Sequence, residues 1–257
     1  MHLRCDLKLY KEIWNYVGWH SSGTFAFIAN NQGITILLNM FFSTVVNAAR
    51  GIATTVSSQV SGFVMNFQVA AGPQIYKLYA KGEYQQMNRL VCNTAKYSSY
   101  LLILIGLPVF IKTEILIKLW LGNIPEYVIP FIRITLIELF FKAIDFPIGN
   151  GIHAFGKMKL PNITSSIAYI SVLPLTYICL RLGATPVVAY IIACVSYPLA
   201  MACDLWILNK FSGFDIKFYL LNVPLKSILI ILLSAILPVF VSNSFEDGWL
   251  NLIATSA

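Results

Sequence analysis

Val187–Leu208 reads VVAYIIACVSYPLAMACDLWIL, an apolar run with one serine, Ser196, and no charge before Asp204. About 20 apolar residues in a helix are what a hydrocarbon core ~30 Å thick requires. Working outward, six more stretches have that character: Thr24–Ser43, Ile52–Ala71, Val91–Ile111, Tyr127–Gly149, Ile163–Leu182 and Pro224–Val241. The 257 residues are 58% hydrophobic and only 11% charged, with mean hydropathy +0.72. A soluble domain carries about 25% charged residues, so lipid is expected to be the main solvent. Barrel strands would need about ten strictly alternating residues, and these runs are longer and do not alternate. The expectation is an all-α polytopic membrane bundle of about seven transmembrane helices. It divides into a basic amphipathic linker helix (1–20), a six-helix lobe (21–211) and an additional helix with a tail that looks cut before a last span (212–257).

The basic residues set an orientation. Arg4, Lys8, Lys11, Lys77, Lys81, Arg89, Lys96, Lys157, Lys159, Lys210, Lys217 and Lys226 fall in alternate connections; only Arg50, Lys112, Lys118 and Arg181 fall in the opposite set. That asymmetry predicts a cytoplasmic N-terminus, and it accounts for the net charge of +7 without nucleic acid. Leu3, Leu7, Tyr10, Trp14 and Val17 share one helical face opposite Arg4, Lys8 and Lys11, the pattern of a helix lying on a membrane surface. Cys5, Cys92, Cys179, Cys194 and Cys203 have no metal-ligand or redox spacing and read as small hydrophobes.

Polar residues inside spans must face protein or water. On the second span Arg50, Thr54, Ser57, Ser61 and Gln68 form one helical stripe, which Asn47 extends; Asn39 belongs to a looser stripe on the first. Two readings stand: the stripes line a water-accessible cavity, or their small polar groups pack two helices together. The size of Arg50 and Gln68 favours the cavity. On the fourth span Glu138, Lys142 and Asp145 lie at i, i+4 and i+7, an internally neutralised ion-pair ladder or, less simply, a proton or cation relay. His2, His20 and His153 are scattered, and Gly149-Asn150-Gly151 ends a membrane helix rather than following a strand. No nucleophile–base or paired-carboxylate arrangement shares a polar face, so neither enzyme, metal site nor cofactor is expected.

Several stretches carry a resemblance. Leu38-Asn39 with Val46-Asn47-Ala48-Ala49-Arg50-Gly51-Ile52-Ala53, then Gly72 to Gly82 (GPQIYKLYAKG), Leu119-Trp120-Leu121-Gly122 with Pro125 and Tyr127, and His153-Ala154-Phe155-Gly156-Lys157 together resemble the polysaccharide biosynthesis (O-antigen type) flippases of the multidrug/oligosaccharidyl-lipid/polysaccharide exporter superfamily. Phe155 departs from the small polar residue expected there. The resemblance, from about Leu7 to Phe218, implies the second six-helix lobe of a MATE-like exporter plus one extra helix, in a bacterial plasma membrane. It implies export of undecaprenyl-pyrophosphate-linked oligosaccharide between leaflets, the lipid tail staying in membrane lipid, with a missing N-terminal lobe or a second copy completing the cavity. The alternatives are a multidrug or cation antiporter of the same superfamily and a non-transporting fragment. The absence of carboxylates from the first two spans favours the saccharide branch.

Overall fold

The computed structural model describes residues 7–156 and 159–244, without the side chains of 7–13, 15, 16 and 235–244. The described residues form helices and no strands: α1 (Leu7–Phe41), α2 (Thr44–Ala80), α3 (Tyr84–Ile111), α4 (Thr113–Leu121), α5 (Val128–Ala154), α6 (Lys159–Arg181), α7 (Val187–Ser212), α8 (Ile216–Asn222) and α9 (Pro224–Ser244). Four stretches are long and apolar enough to cross a membrane, namely α3, α6, α7 and Ile216–Ser234. They mark a helical membrane protein. α1, α2 and α5 have 35, 37 and 27 residues and carry more polar side chains.

For α5 the reason lies in the packing. α5 is the central helix, set against α2, α3 and α7, while α1 packs on α6, and α6 on α7. Val128, Phe131, Ile132, Ile144, Ile148 and Ile152 of α5 are fully enclosed. Its charged residues Arg133, Glu138, Lys142 and Asp145 therefore enter protein rather than lipid, which is where ionisable groups at membrane depth are tolerated. α6 and α7, near the edge, leave Ile167, Ile170, Val195 and Leu199 exposed to an apolar solvent.

Glycine and small caps set the breaks. Gly122 (φ 75°) ends α4 and Gly213 (φ 66°) ends α7, both left-handed positions that disfavour a Cβ. Asp215 accepts a hydrogen bond from the Phe218 amide at 2.9 Å and so caps α8. Gly149-Asn150-Gly151 is helical, and Gly151 is a close-packing position, since a Cβ there would lie 3.2 Å from Leu208 and 3.4 Å from Val91. Phe155, just past the end of α5, has a packing role. Its ring meets Tyr79 at 4.7 Å, Phe211 at 5.5 Å and Tyr84 at 5.7 Å, closing one end of the bundle where α2, α3, α5 and α7 converge.

α1 runs unbroken through the boundary expected near residue 20, so the stretch from Leu7 and the first span are one continuous helix. Met1–Asp6 of the expected surface helix, Lys157 of the motif, and the tail beyond Ser244 lie outside the described residues. α4 and α8, short helices beside α3–α5 and α9, are additions to the seven expected segments.

Candidate polar site between α1, α2, α5 and α7

Arg50 lies one and a half turns into α2, close to the tight connection with α1. Its Nη2 donates to the Asn31 carbonyl at 3.2 Å and lies 3.5 Å from Asn31 Oδ1. Its guanidinium stands 5.7 Å from the centre of the Tyr190 ring, which stacks on Phe131 at 4.2 Å. Among the described residues no carboxylate forms an ion pair with Arg50; the ion pairs are Lys81–Glu83 and Lys142–Glu138. A cation held by a carbonyl, an amide oxygen and a ring face keeps donors for an anion.

Glu138 reaches the same place from α5. A small polar cavity of about 40 Å³ is lined by Asn30, Asn31, Arg50, Glu138, Tyr190 and Tyr197, with Ile34, Ala189 and Ala193. That is room for about one water molecule, so no sugar enters it. Lys142 Nζ lies 2.5 Å from Glu138 Oε1 and 4.7 Å from the centre of the Tyr197 ring. Asn30 Nδ2 donates to the Tyr169 carbonyl, and Tyr169 in turn packs on Tyr197 at 5.9 Å. Four helices thus hold one neutralised Glu138–Lys142 pair beside one arginine that no carboxylate among the described residues pairs.

The structure joins Arg50 and Glu138, which sequence reading places in separate sites, and it separates others that reading joins. Asp145 stays out of the Glu138–Lys142 pair. It lies within electrostatic reach of Asp204 on α7, and Asp145 Oδ1 and Asp204 Oδ1 are both enclosed without a hydrogen-bond partner. Gln68 leaves the stripe altogether. It is 4% exposed, and its Nε2 donates to the Ala143 carbonyl at 2.7 Å. Ala143 lies four residues before Pro147, which has no N–H to offer that carbonyl within α5. Gln68 is therefore interhelical glue over a proline gap, and its size is no sign of a cavity.

The rest of the stripe divides. Thr54 is exposed, Ser57 and Ser61 are half-buried, and their hydroxyls donate to carbonyls of their own helix at 3.0, 3.0 and 3.1 Å. Such back-bonded hydroxyls are tolerated by lipid. An amide bonded back to its own helix, as Asn31 is to the Phe27 carbonyl at 3.2 Å, still keeps an oxygen acceptor and a second N–H to satisfy. Gln59 and Asn66, exposed on α2 with Thr55, form a second stripe at 0, +4 and +11, and Asn39 is exposed on α1. Asn47 Nδ2 donates to the Thr35 carbonyl at 3.3 Å while its Oδ1 is enclosed without a partner. α1 and α2 meet near their connection through these bonds, and beyond it each follows a different neighbour, α6 or α5.

Tyr190 and Tyr197 are the site residues that sequence reading misses. They sit at i and i+7 of a strongly apolar span, one face of a helix, and that spacing was the available signal. Among the described residues no group of three His, Cys, Asp or Glu could hold a metal ion.

The fold and this site define a helical membrane protein with a polar, singly cationic centre among its helices. The chain matches no family model, no curated protein and no solved structure.

Proposed function

We propose that this chain is one lobe of an exporter that passes a lipid-linked, pyrophosphate-bearing oligosaccharide between leaflets of a bacterial plasma membrane, with its N-terminus in the cytoplasm and seven spans. The observation that carries the reading is Arg50, a cation at the head of α2 with no carboxylate ion pair among the described residues, above the Thr54, Ser57 and Ser61 hydroxyls on the same helical face. A pyrophosphate suits an arginine fork, and side-chain hydroxyls, which both donate and accept, suit sugar hydroxyls. These groups form an open face rather than an enclosed cavity, so an opposing lobe or a second copy is required to complete a path. Motion of the two lobes about that path gives alternating access.

A second reading rests on Glu138. It lines the same cavity as Arg50, so the absence of carboxylates from α1 and α2 no longer distinguishes a saccharide exporter from a cation antiporter. Lys142 neutralises Glu138, which leaves the site net positive and favours the anion.

Single cysteines at Thr54 and Ser61, on the Arg50 face of α2, in a chain with its own cysteines replaced, test the reading in membranes. A membrane-impermeant, water-soluble thiol reagent is expected to label both, and lipid-linked oligosaccharide to slow that labelling. Absence of labelling would place the face in lipid and end the proposal. Protection by a lipophilic cation instead of the saccharide would favour the antiporter.

A further inference from the structure

An open apolar groove of about 610 Å³ runs between α1 and α6, its walls including Phe25, Ala26, Ile163, Ile167, Ile170 and Pro174. Along α6, Ile163 to Pro174 spans ~16 Å at ~1.5 Å per residue, the depth of one leaflet of a ~30 Å hydrocarbon core. The groove begins at Trp19, and exposed Lys159 places its Nζ 5.4 Å from the centre of that ring. Tryptophan and snorkelling lysine are the side chains that settle at headgroup height. Neither wall carries a carboxylate: α1 from Trp14 onward and the whole of α6 contain no Asp or Glu. A cation at the mouth thus sits over a trough one leaflet deep, with no acidic group to repel an anion.

We propose that this groove binds one membrane lipid with an anionic phosphate headgroup, drawn from the leaflet at the N-terminal end of α1. One acyl chain lies in the trough and the phosphate meets Lys159 beside Trp19. None of the residues lining the cavity at Arg50 lines this groove, so the lipid is a resident of the protein and not the exported substrate. The inference stands or falls apart from the exporter reading.

Native mass spectrometry of the purified chain, in detergent with equal dioleoyl-phosphatidylglycerol and dioleoyl-phosphatidylcholine, tests it. One phosphatidylglycerol is expected to stay bound in at least five-fold preference to phosphatidylcholine. Lys159→Gln abolishes the preference. Ile167→Trp, a change at a position 65% exposed that fills the trough without touching the core, removes bound lipid of both kinds. Excess glycerol 3-phosphate leaves the lipid in place. Equal retention of the two lipids, or a phosphatidylglycerol count unchanged in both variants, overturns the proposal, as does displacement by glycerol 3-phosphate alone. Elution profiles matching the parent chain confirm that both variants are folded.

Discussion

Lys142 and Glu138 face each other one turn apart on α5, Nζ to Oε1 2.5 Å, so two opposite charges enter the bundle as a pair. The Glu138 side chain is 13% exposed and that of Lys142 36%. Removing one partner of a fully buried pair costs ~3–5 kcal/mol, whereas replacing both by apolar groups is often neutral or stabilising.

Glu138→Gln is therefore expected to destabilise the protein, by less than that full range because Lys142 is partly exposed. Glu138→Leu with Lys142→Met is expected to recover most of the loss. Thermal unfolding in detergent gives the comparison. A double variant as unstable as Glu138→Gln would show that the pair acts through more than mutual neutralisation.

Gln68 and Pro147 are coupled through the Ala143 carbonyl. Gln68→Leu strips that carbonyl of its donor and is expected to cost ~1–3 kcal/mol. Pro147→Ala supplies an N–H within α5, so in that background Gln68→Leu costs less. A double-mutant cycle on melting temperature or denaturant midpoint reads the coupling. Independent, additive effects would mean that Gln68 serves some purpose other than closing the proline gap.

This pair also marks how far the sequence could be read. Helical periodicity and apolar length located seven of the nine described helices, because lipid imposes both on every spanning segment. Periodicity along one helix reports which residues share a face but not what that face meets. Gln68 falls on the stripe of Arg50 by angle, yet Pro147 of another helix decides its role. Glu138 and Arg50 sit on different helices and meet only once α5 packs on α2. Tyr190 and Tyr197 escaped notice because an apolar span hides its hydroxyls among hydrophobic counts. The continuous α1 escaped for a related reason, since a change of composition near residue 20 is not a break in backbone.

The distribution of lysine and arginine predicts sidedness. Lys81→Cys, in a cysteine-free background, is expected to react in intact cells only with a permeant thiol reagent, and Lys118→Cys with an impermeant one. Lys81 and Lys118 lie at opposite ends of α3 and α4, outside the apolar stretch between them. The reverse pattern would invert the protein in its membrane.

Arg50 is proposed to meet a phosphate-bearing substrate. Export of surface polysaccharide by the complete transporter, normalised to its abundance in the membrane, tests it in three forms: parent, Arg50→Lys and Arg50→Ala. An arginine that only anchors the bundle accepts lysine, which can replace its charge and snorkel equally well. A two-pronged contact does not. Loss of a charge-assisted hydrogen bond worth ~1.5–3 kcal/mol corresponds to about ten-fold or more in binding. Arg50→Lys and Arg50→Ala are both expected to lower export about ten-fold at equal abundance. Export near the parent level in both variants would contradict that contact.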